Sequence, residues 1–360
     1  MSADIKKIRQ KIDSLDNEIL QLLNQRAEQA ISIAKEKQKQ QESDNFYNPE
    51  REAQVIRRIQ DLNNGPLSDT AITKLFREVM SACLSLEAPL KVSYLGPEGT
   101  YTQLAAQKHF GSSVLSMPHS SVEEVFLSVE KRDSHYGVVP VENSTQGIVA
   151  STLDMFMKSS LRISGEIEIL INHNVLSKSK KIEDVKKIYA HPQSFAQCKN
   201  WIEKNCPNIE KINSSSNAEA ALIASKEKNS AAIASEVASG IYNLNIISKN
   251  IEDNHNNSTR FLVVGDRDTQ PSGSDKTSII VSTKNNSGAL YELLSPLSKN
   301  KVSMTRIESR PSKHNNWEYI FYLDLNGHIK DESIKKATDE IQKEASLYRF
   351  LGSYPAALIK

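Results

Sequence analysis

Asn257-Ser258-Thr259-Arg260-Phe261 is the stretch on which the reading of this chain turns. A hydroxyl stands beside a guanidinium, immediately before the apolar run Phe261 to Val264. That order predicts the mouth of a strand, where Thr259 donates a proton and Arg260 holds an anion. Taken alone, the motif fits any amphipathic strand, so the surrounding sequence decides its meaning. It closes an α/β region that follows a charge-rich helical arm of about ninety residues, and a separate small sandwich comes after it.

The totals exclude several function classes. Lys plus Arg is 45 and Asp plus Glu is 44 in 360 residues. No global field therefore favours nucleic acid or an anionic membrane, and anion recognition must rest on locally placed cations. Cys83, Cys198 and Cys206 are few, odd in number and without metal spacing, which points to a reducing compartment and no structural disulfide. Met1 to Gln10 has neither signal-peptide nor transit-peptide character, and no apolar run approaches a membrane span. The expectation is a cytoplasmic protein with no metal and no cofactor.

In the arm, Ile5, Ile8, Ile12, Leu15, Ile19 and Leu22 step by threes and fours, a helical stripe. Continued, the stripe meets Arg26, Ala30, Ile33 and Lys37, so two cations sit in an apolar seam and project to one side. Two readings fit: the cations snorkel to solvent, or they clamp a buried dianion. Asn48-Pro49-Glu50-Arg51-Glu52 reads as a cap, a proline at the first helical position and acids in the first turn. A third helix, capped by Ser68, carries an apolar face to Cys83 and then Glu87, another polar break in the seam. The first helix is too long for the other two to cover, so an interlaced homodimer is expected to bury the rest of the stripe.

This segment resembles the all-helical AroQ-type chorismate mutase domain. The resemblance implies that Arg9 is given across the dimer and that Arg26, Lys37 and Arg51 bind carboxylates and the ether oxygen. Glu52 would hold the substrate hydroxyl. Asn48, Cys83 and Glu87 complete the implied chorismate site, although the best-known bacterial pattern has Asp, Ser and Gln at those positions. The reaction implied is a pericyclic rearrangement of chorismate to prephenate, which needs only a cationic cage.

The middle region alternates strands and helices, which predicts an open, largely parallel sheet with ligands at the strands' carboxyl ends. Val92 to Leu95 leads into Gly96-Pro97-Glu98-Gly99-Thr100 before a helix, a loop whose backbone N–H groups suit an anion. Tyr136 to Val141 ends in Glu142-Asn143-Ser144, and Ile188 to Ala190 leads into His191-Pro192-Gln193 and Gln197-Cys198. Glu142, Asn143, Gln197, Thr259 and Arg260 thus collect at predicted strand ends. His191, before a proline, reads as a capping or packed histidine rather than a base. No Gly-x-Gly-x-x-Gly or Walker sequence is present.

These words resemble prephenate dehydratase in order and spacing, with Ala190 departing from the Ser common before His-Pro-Gln. The resemblance implies a two-lobed, periplasmic-binding-protein-like domain whose cleft turns prephenate into phenylpyruvate by losing carbon dioxide and water. Thr259 would be the general acid and Arg260, or the Gly99 and Thr100 backbone with Ser144, the carboxylate anchor. Glu142 would orient Thr259 or the leaving group, with Asn143 and Gln197 as neutral polar contacts.

Residues 268–275 read as a linker, and the remaining chain follows a βαββαβ order. Gly288-Ala289-Leu290 and Glu308-Ser309-Arg310-Pro311, with Trp317 close behind, resemble the ACT domain fused to prephenate dehydratases. That resemblance implies feedback inhibition by L-phenylalanine bound at paired ACT domains. The expected division is residues 1–89, 90–267, 268–275 and 276–360. Two rivals stay open: a dehydratase with a non-catalytic helical arm, and an amino-acid-binding regulator without catalysis.

Overall fold

The computed structural model describes residues 3–39, 47–283, 286–311 and 319–357. The arm has three helices, α1 (Ala3–Lys39), α2 (Pro49–Leu62) and α3 (Asp69–Ser85). Asn48 and Ser68 cap α2 and α3, each side chain accepting a backbone N–H of the first turn, and Pro49 opens α2. Along α1 the apolar stripe is left open: Ile8 is 61% exposed and Leu22 63%. Such a stripe is unstable in water without a partner surface.

The middle region is two α/β lobes. The first holds β1 (Lys91–Leu95), α4 (Tyr101–Phe110), β2 (Leu115–His119), α5 (Val122–Glu130), β3 (Tyr136–Asn143), β4 (Gly147–Ile148), α6 (Ala150–Lys158) and β5 (Arg162–Leu170). The chain then crosses to the second lobe. There it forms β6 (Asn174–Ser177), β7 (Lys187–Ala190), α7 (Pro192–Gln197), α8 (Lys199–Asn205), β8 (Glu210–Asn213), α9 (Asn217–Lys226), β9 (Ser230–Ala234), α10 (Glu236–Ile241) and β10 (Asn245–Ser248). It returns to the first lobe as β11 (Ser258–Gly265).

The sheet orders are β2-β1-β3-β11-β5 and β10-β6-β9-β7-β8. Both are mixed rather than largely parallel. The chain leaves the first sheet after β5 and re-enters it from the second lobe as β11, antiparallel to β5; within the second lobe β6 and β10 also pair antiparallel. Antiparallel pairing carries the amino end of β11 to the carboxyl end of β3. Thr259 therefore reaches the expected sheet edge from the opposite strand direction.

The last domain runs β12 (Asp275–Thr283), α11 (Ala289–Lys299), β13 (Met304–Pro311), β14 (Tyr319–Asn326), α12 (Glu332–Glu344) and β15 (Leu347–Pro355), with sheet order β13-β14-β12-β15. One face of this antiparallel sheet packs on the first lobe: Leu153, Phe156, Ile163 and Leu262 share a buried cluster with Ile280, Tyr322, Leu351 and Tyr354. The stretch read as a linker is docked. Arg57 donates to the carbonyls of Ser272 and Ser274, both at 2.8 Å, and Thr269, Ser272 and Asp275 are buried. No helix among the described residues is long and apolar enough to cross a membrane.

Candidate active site

The register of β3 and β11 sets Thr259 against Asn143 and Arg260 against Glu142. Side chains alternate along a strand, so these two cross-strand pairs face opposite sides of the sheet. Thr259 and Asn143 face the second lobe. Arg260 and Glu142 face the last domain.

On the cleft side, Asn143 Nδ2 donates to Thr259 Oγ1 at 2.8 Å. Asn143 Oδ1 accepts the backbone N–H groups of Thr145 (3.0 Å) and Gln146 (3.1 Å) and the Thr145 hydroxyl (2.6 Å). Gln197, at the end of α7 in the second lobe, donates to Thr145 Oγ1 across the cleft at 3.2 Å. Asn257, only 2% exposed, accepts from Asn143 and Ser144, while its own Nδ2 is buried with no partner. A buried donor without an acceptor costs roughly 1–3 kcal/mol, a cost that a bound anion would remove.

On the opposite face Arg260 is saturated. Its guanidinium meets Asp324 Oδ2 at 2.5 Å, Glu166 Oε2 at 2.8 Å and Tyr354 Oη at 3.0 Å. Lys276 joins Glu166 at 2.7 Å. Burial opposes the charge on Arg260, but Tyr354, Asp324 and Glu166 outweigh it and raise its pKa. Glu142 pairs with Arg306 of β13 at 3.1 Å. Glu142, Arg260, Lys276, Arg306 and Asp324 line a polar cavity of 340 Å³ between the two domains.

The glycine loop is closed rather than open. The Gly99 N–H is taken by Gln103 Oε1 at 2.6 Å, and Thr100 caps α4. A side chain at Gly99 would strike Tyr242 and Ala238 of the second lobe, at a φ of +88°. Gly99 thus lets the lobes approach closely. His191 accepts the Gln193 N–H and caps α7, as expected.

In the arm, Lys37 lies near enough to Glu87 to act on its charge, yet burial prevails and raises the Glu87 pKa. Glu87 Oε2 is buried without a partner. Cys83 is buried near the end of α3, Arg26 is half-buried, and Arg9 and Arg51 are exposed. The Glu52 carboxylate is engaged by Arg77 at 3.2 Å.

The chain matches the model of the prephenate dehydratase family over residues 92–269, of chorismate mutase type II over 8–88, and of the ACT domain over 277–342. A bifunctional chorismate mutase/prephenate dehydratase from Pseudomonas aeruginosa is 47% identical, over 99% of this chain and 98% of its own length. The chain belongs to the bifunctional chorismate mutase/prephenate dehydratase family. The relative from Aquifex aeolicus is 45% identical, covering 99% of both chains. Among solved structures, the prephenate dehydratase of Arthrobacter aurescens in complex with L-Phe is 30% identical with a TM-score of 0.68, over 74% of this chain and 90% of its own. A quorum-quenching acylase reaches a TM-score of 0.69 at 26% identity over 74% of this chain and 98% of its own, so the fold alone does not fix the chemistry.

Against the expectations for the dehydratase domain, the structure brings Thr259, Asn143 and Gln197 together and removes two others. Arg260 cannot anchor prephenate beside Thr259, and Glu142 cannot orient Thr259, because strand alternation turns both toward the ACT domain. Gly99 offers no free N–H, and Ser144 is tied to Asn257. In the mutase arm, Asn48 serves as a cap, and Glu52 is turned toward Arg77 in place of a free carboxylate.

In the ACT domain, Gly288 caps α11 at a φ of +84° with open space where a side chain would stand. Ala289 and Leu290 follow it in the first turn. Glu308 and Ser309 lie on β13, an edge strand. Arg310 reaches back to Asp154 and the Ala150 carbonyl of the dehydratase domain, both at 3.0 Å. Pro311 ends the strand, and Trp317 lies outside the described residues. Sequence reasoning missed Thr145, Asn257 and His173. Asn257 stood inside the quoted motif and carried a signal; the others did not.

Proposed function

We propose that this enzyme converts chorismate to prephenate in its helical arm and prephenate to phenylpyruvate in its two-lobed domain, under feedback inhibition by L-phenylalanine at the ACT domain. The observation carrying the dehydratase reading is the Asn143–Thr259 bond at the cleft edge, facing Gln197. Asn143 donates to Thr259, which leaves the threonine proton for the departing ring hydroxyl, and aromatisation drives the loss of carbon dioxide with it. Asn257 Nδ2 and Gln197 supply neutral donors for the substrate's carboxylates. One assay tests the whole reading: purified protein is given chorismate, then prephenate, and phenylpyruvate is followed with and without phenylalanine. Absence of phenylpyruvate from prephenate would end it.

In the mutase arm, Arg26, Lys37 and Arg51 form the cage, and Arg9 comes from a partner whose α1 covers the exposed stripe of Ile8, Ile12, Leu15 and Ile19. Glu87 must be protonated to donate to the ether oxygen. Burial raises its pKa, so the donor persists to higher pH than for an ordinary Glu and is lost above that raised value. Mutase kcat/KM is therefore expected to fall as pH rises between about 5 and 9, while Glu87→Gln flattens the profile. A flat profile in both proteins would remove Glu87 from the chemistry. One observation favours a second reading, an arm that dimerises without catalysis: Glu52 is occupied by Arg77. Failure to consume chorismate would establish it.

For the ACT domain, Gly288 leaves room for the amino acid's carboxylate at the start of α11, where the Ala289 N–H is held by the Asn286 carbonyl and the next N–H groups remain to donate. Gly288→Ala, strained at positive φ, and Glu308→Gln are each expected to keep dehydratase turnover and lose phenylalanine inhibition by at least about tenfold in concentration. Full inhibition of both variants would remove the assignment.

A further inference from the structure

Thr259 is the end of a longer hydrogen-bonded chain whose directions are fixed one by one. Backbone N–H groups can only donate, so the two that meet the Asn143 side chain identify Oδ1, and Nδ2 must be the atom donating to Thr259. Thr145 spends its single proton on Asn143 Oδ1 at 2.6 Å, so the group facing Thr145 from Gln197 must be the donating Nε2. Gln197 Oε1 is then turned to His173 Nε2 at 2.8 Å, and that nitrogen must carry a proton. Among the described residues nothing accepts the Thr259 proton, which remains available for substrate.

His173 stands where this chain crosses between the lobes. It lies in the first crossing, between β5 and β6, and is 1% exposed. Its backbone is pinned to the return crossing: its N–H donates to Glu252 Oε2 at 2.7 Å, and its carbonyl accepts from Ile251 at 2.8 Å. The other ring nitrogen, Nδ1, meets the Tyr101 hydroxyl at 3.1 Å, which also reaches the Asn172 carbonyl at 2.7 Å. Burial, outweighing Gln197 and Glu252, lowers the His173 pKa, so the ring is neutral at neutral pH. A neutral ring with Nε2–H leaves Nδ1 as an acceptor, so Tyr101 shares its single proton between that nitrogen and the Asn172 carbonyl.

We propose that His173 is a positioning residue for the dehydratase reaction, setting through Gln197, Thr145 and Asn143 the direction in which the Thr259 hydroxyl donates. The inference rests on the reading of Thr259 as the acid. It acts at a distance: His173 touches neither Thr259 nor the cleft edge where it stands. Remove the Nε2 donor and Gln197 is free to flip; Thr145 then has two acceptors for one proton, and Asn143 Oδ1 risks losing one of the three donors that hold it.

The test uses the full-length protein with the mutase reaction as an internal measure of folding. His173→Leu is expected to lower dehydratase kcat by roughly 10–100-fold, with KM for prephenate within about threefold and mutase turnover intact. His173→Gln, which returns an N–H near the same place, is expected to recover turnover to within about fivefold of the parent. Dehydratase turnover of His173→Leu within about twofold of the parent, or His173→Gln as impaired as His173→Leu, overturns the proposal. Should His173→Leu lose mutase turnover as well, Thr145→Val, which cuts the same chain at an exposed position, is read with the same two outcomes on kcat. Thr259→Val measured alongside separates the failures. If it stays active, the acid assignment falls; if it is inactive while His173→Leu is not, only the role of His173 falls.

Discussion

Thr259→Ala is expected to lower dehydratase kcat by roughly 10²–10⁴ while KM for prephenate holds within a few-fold. The substrate must lose a hydroxide, a poor leaving group unless a proton arrives as the bond breaks. Thr259 is the residue at the cleft edge whose donor role is dictated by its neighbour, since Asn143 occupies a lone pair of its oxygen. An interaction made mainly in the transition state shows in kcat and leaves ground-state binding alone. Mutase turnover by the same variant is expected to be unchanged, because α1 to α3 do not share this cleft. A Thr259→Ala protein with near-parental kcat would mean that the acid lies elsewhere.

The second large effect belongs to the neighbouring residue and is of a different kind. Arg260→Met is expected to destabilise the fold by roughly 3–5 kcal/mol, because it leaves Glu166 and Asp324 buried without their partner. Glu166 keeps Lys276 at 2.7 Å, whereas among the described residues Asp324 retains Ser278 and the long reach of Arg306. The Asp324 pKa is set by opposed causes: burial raises it, and Arg260 with Ser278 brings it below its ordinary value. A depressed carboxylate contributes stability that is present above its unfolded pKa and lost as pH falls through the folded one. Denaturant midpoints of parent and Arg260→Met should therefore converge toward acid pH. The folded fraction of the variant should bind prephenate with KM within about threefold of the parent. A tenfold rise in KM with stability untouched would return Arg260 to the substrate.

Thr259 and Arg260 also show where a sequence stops being legible. Their motif announced a strand mouth, and β11 does start at Ser258, with the Thr259 side chain on the cleft side beside Asn143. The motif placed both side chains in one site, whereas alternation sends adjacent residues to opposite faces. The same error governed Glu142 beside Asn143. Both were avoidable, since a strand assignment already implies the alternation. The ACT domain's βαββαβ order was legible because local periodicity writes it. His173, Tyr101 and Thr145 were not legible. They meet Gln197 only because the chain crosses between lobes twice, and no spacing in the sequence records that. The stripe on α1 is exposed in the single chain, which does not show what surface covers it.

β11 is a two-faced strand, with Thr259 turned to the cleft and Arg260 to the ACT domain. The most direct measurement is a crystal structure with an unreactive prephenate analogue that keeps the ring hydroxyl. Thr259 Oγ1 is expected within about 2.6–3.2 Å of that hydroxyl oxygen, with Arg260 still on Glu166 and Asp324. An analogue whose carboxylate sits on Arg260, with Thr259 out of reach of its hydroxyl, would contradict the account.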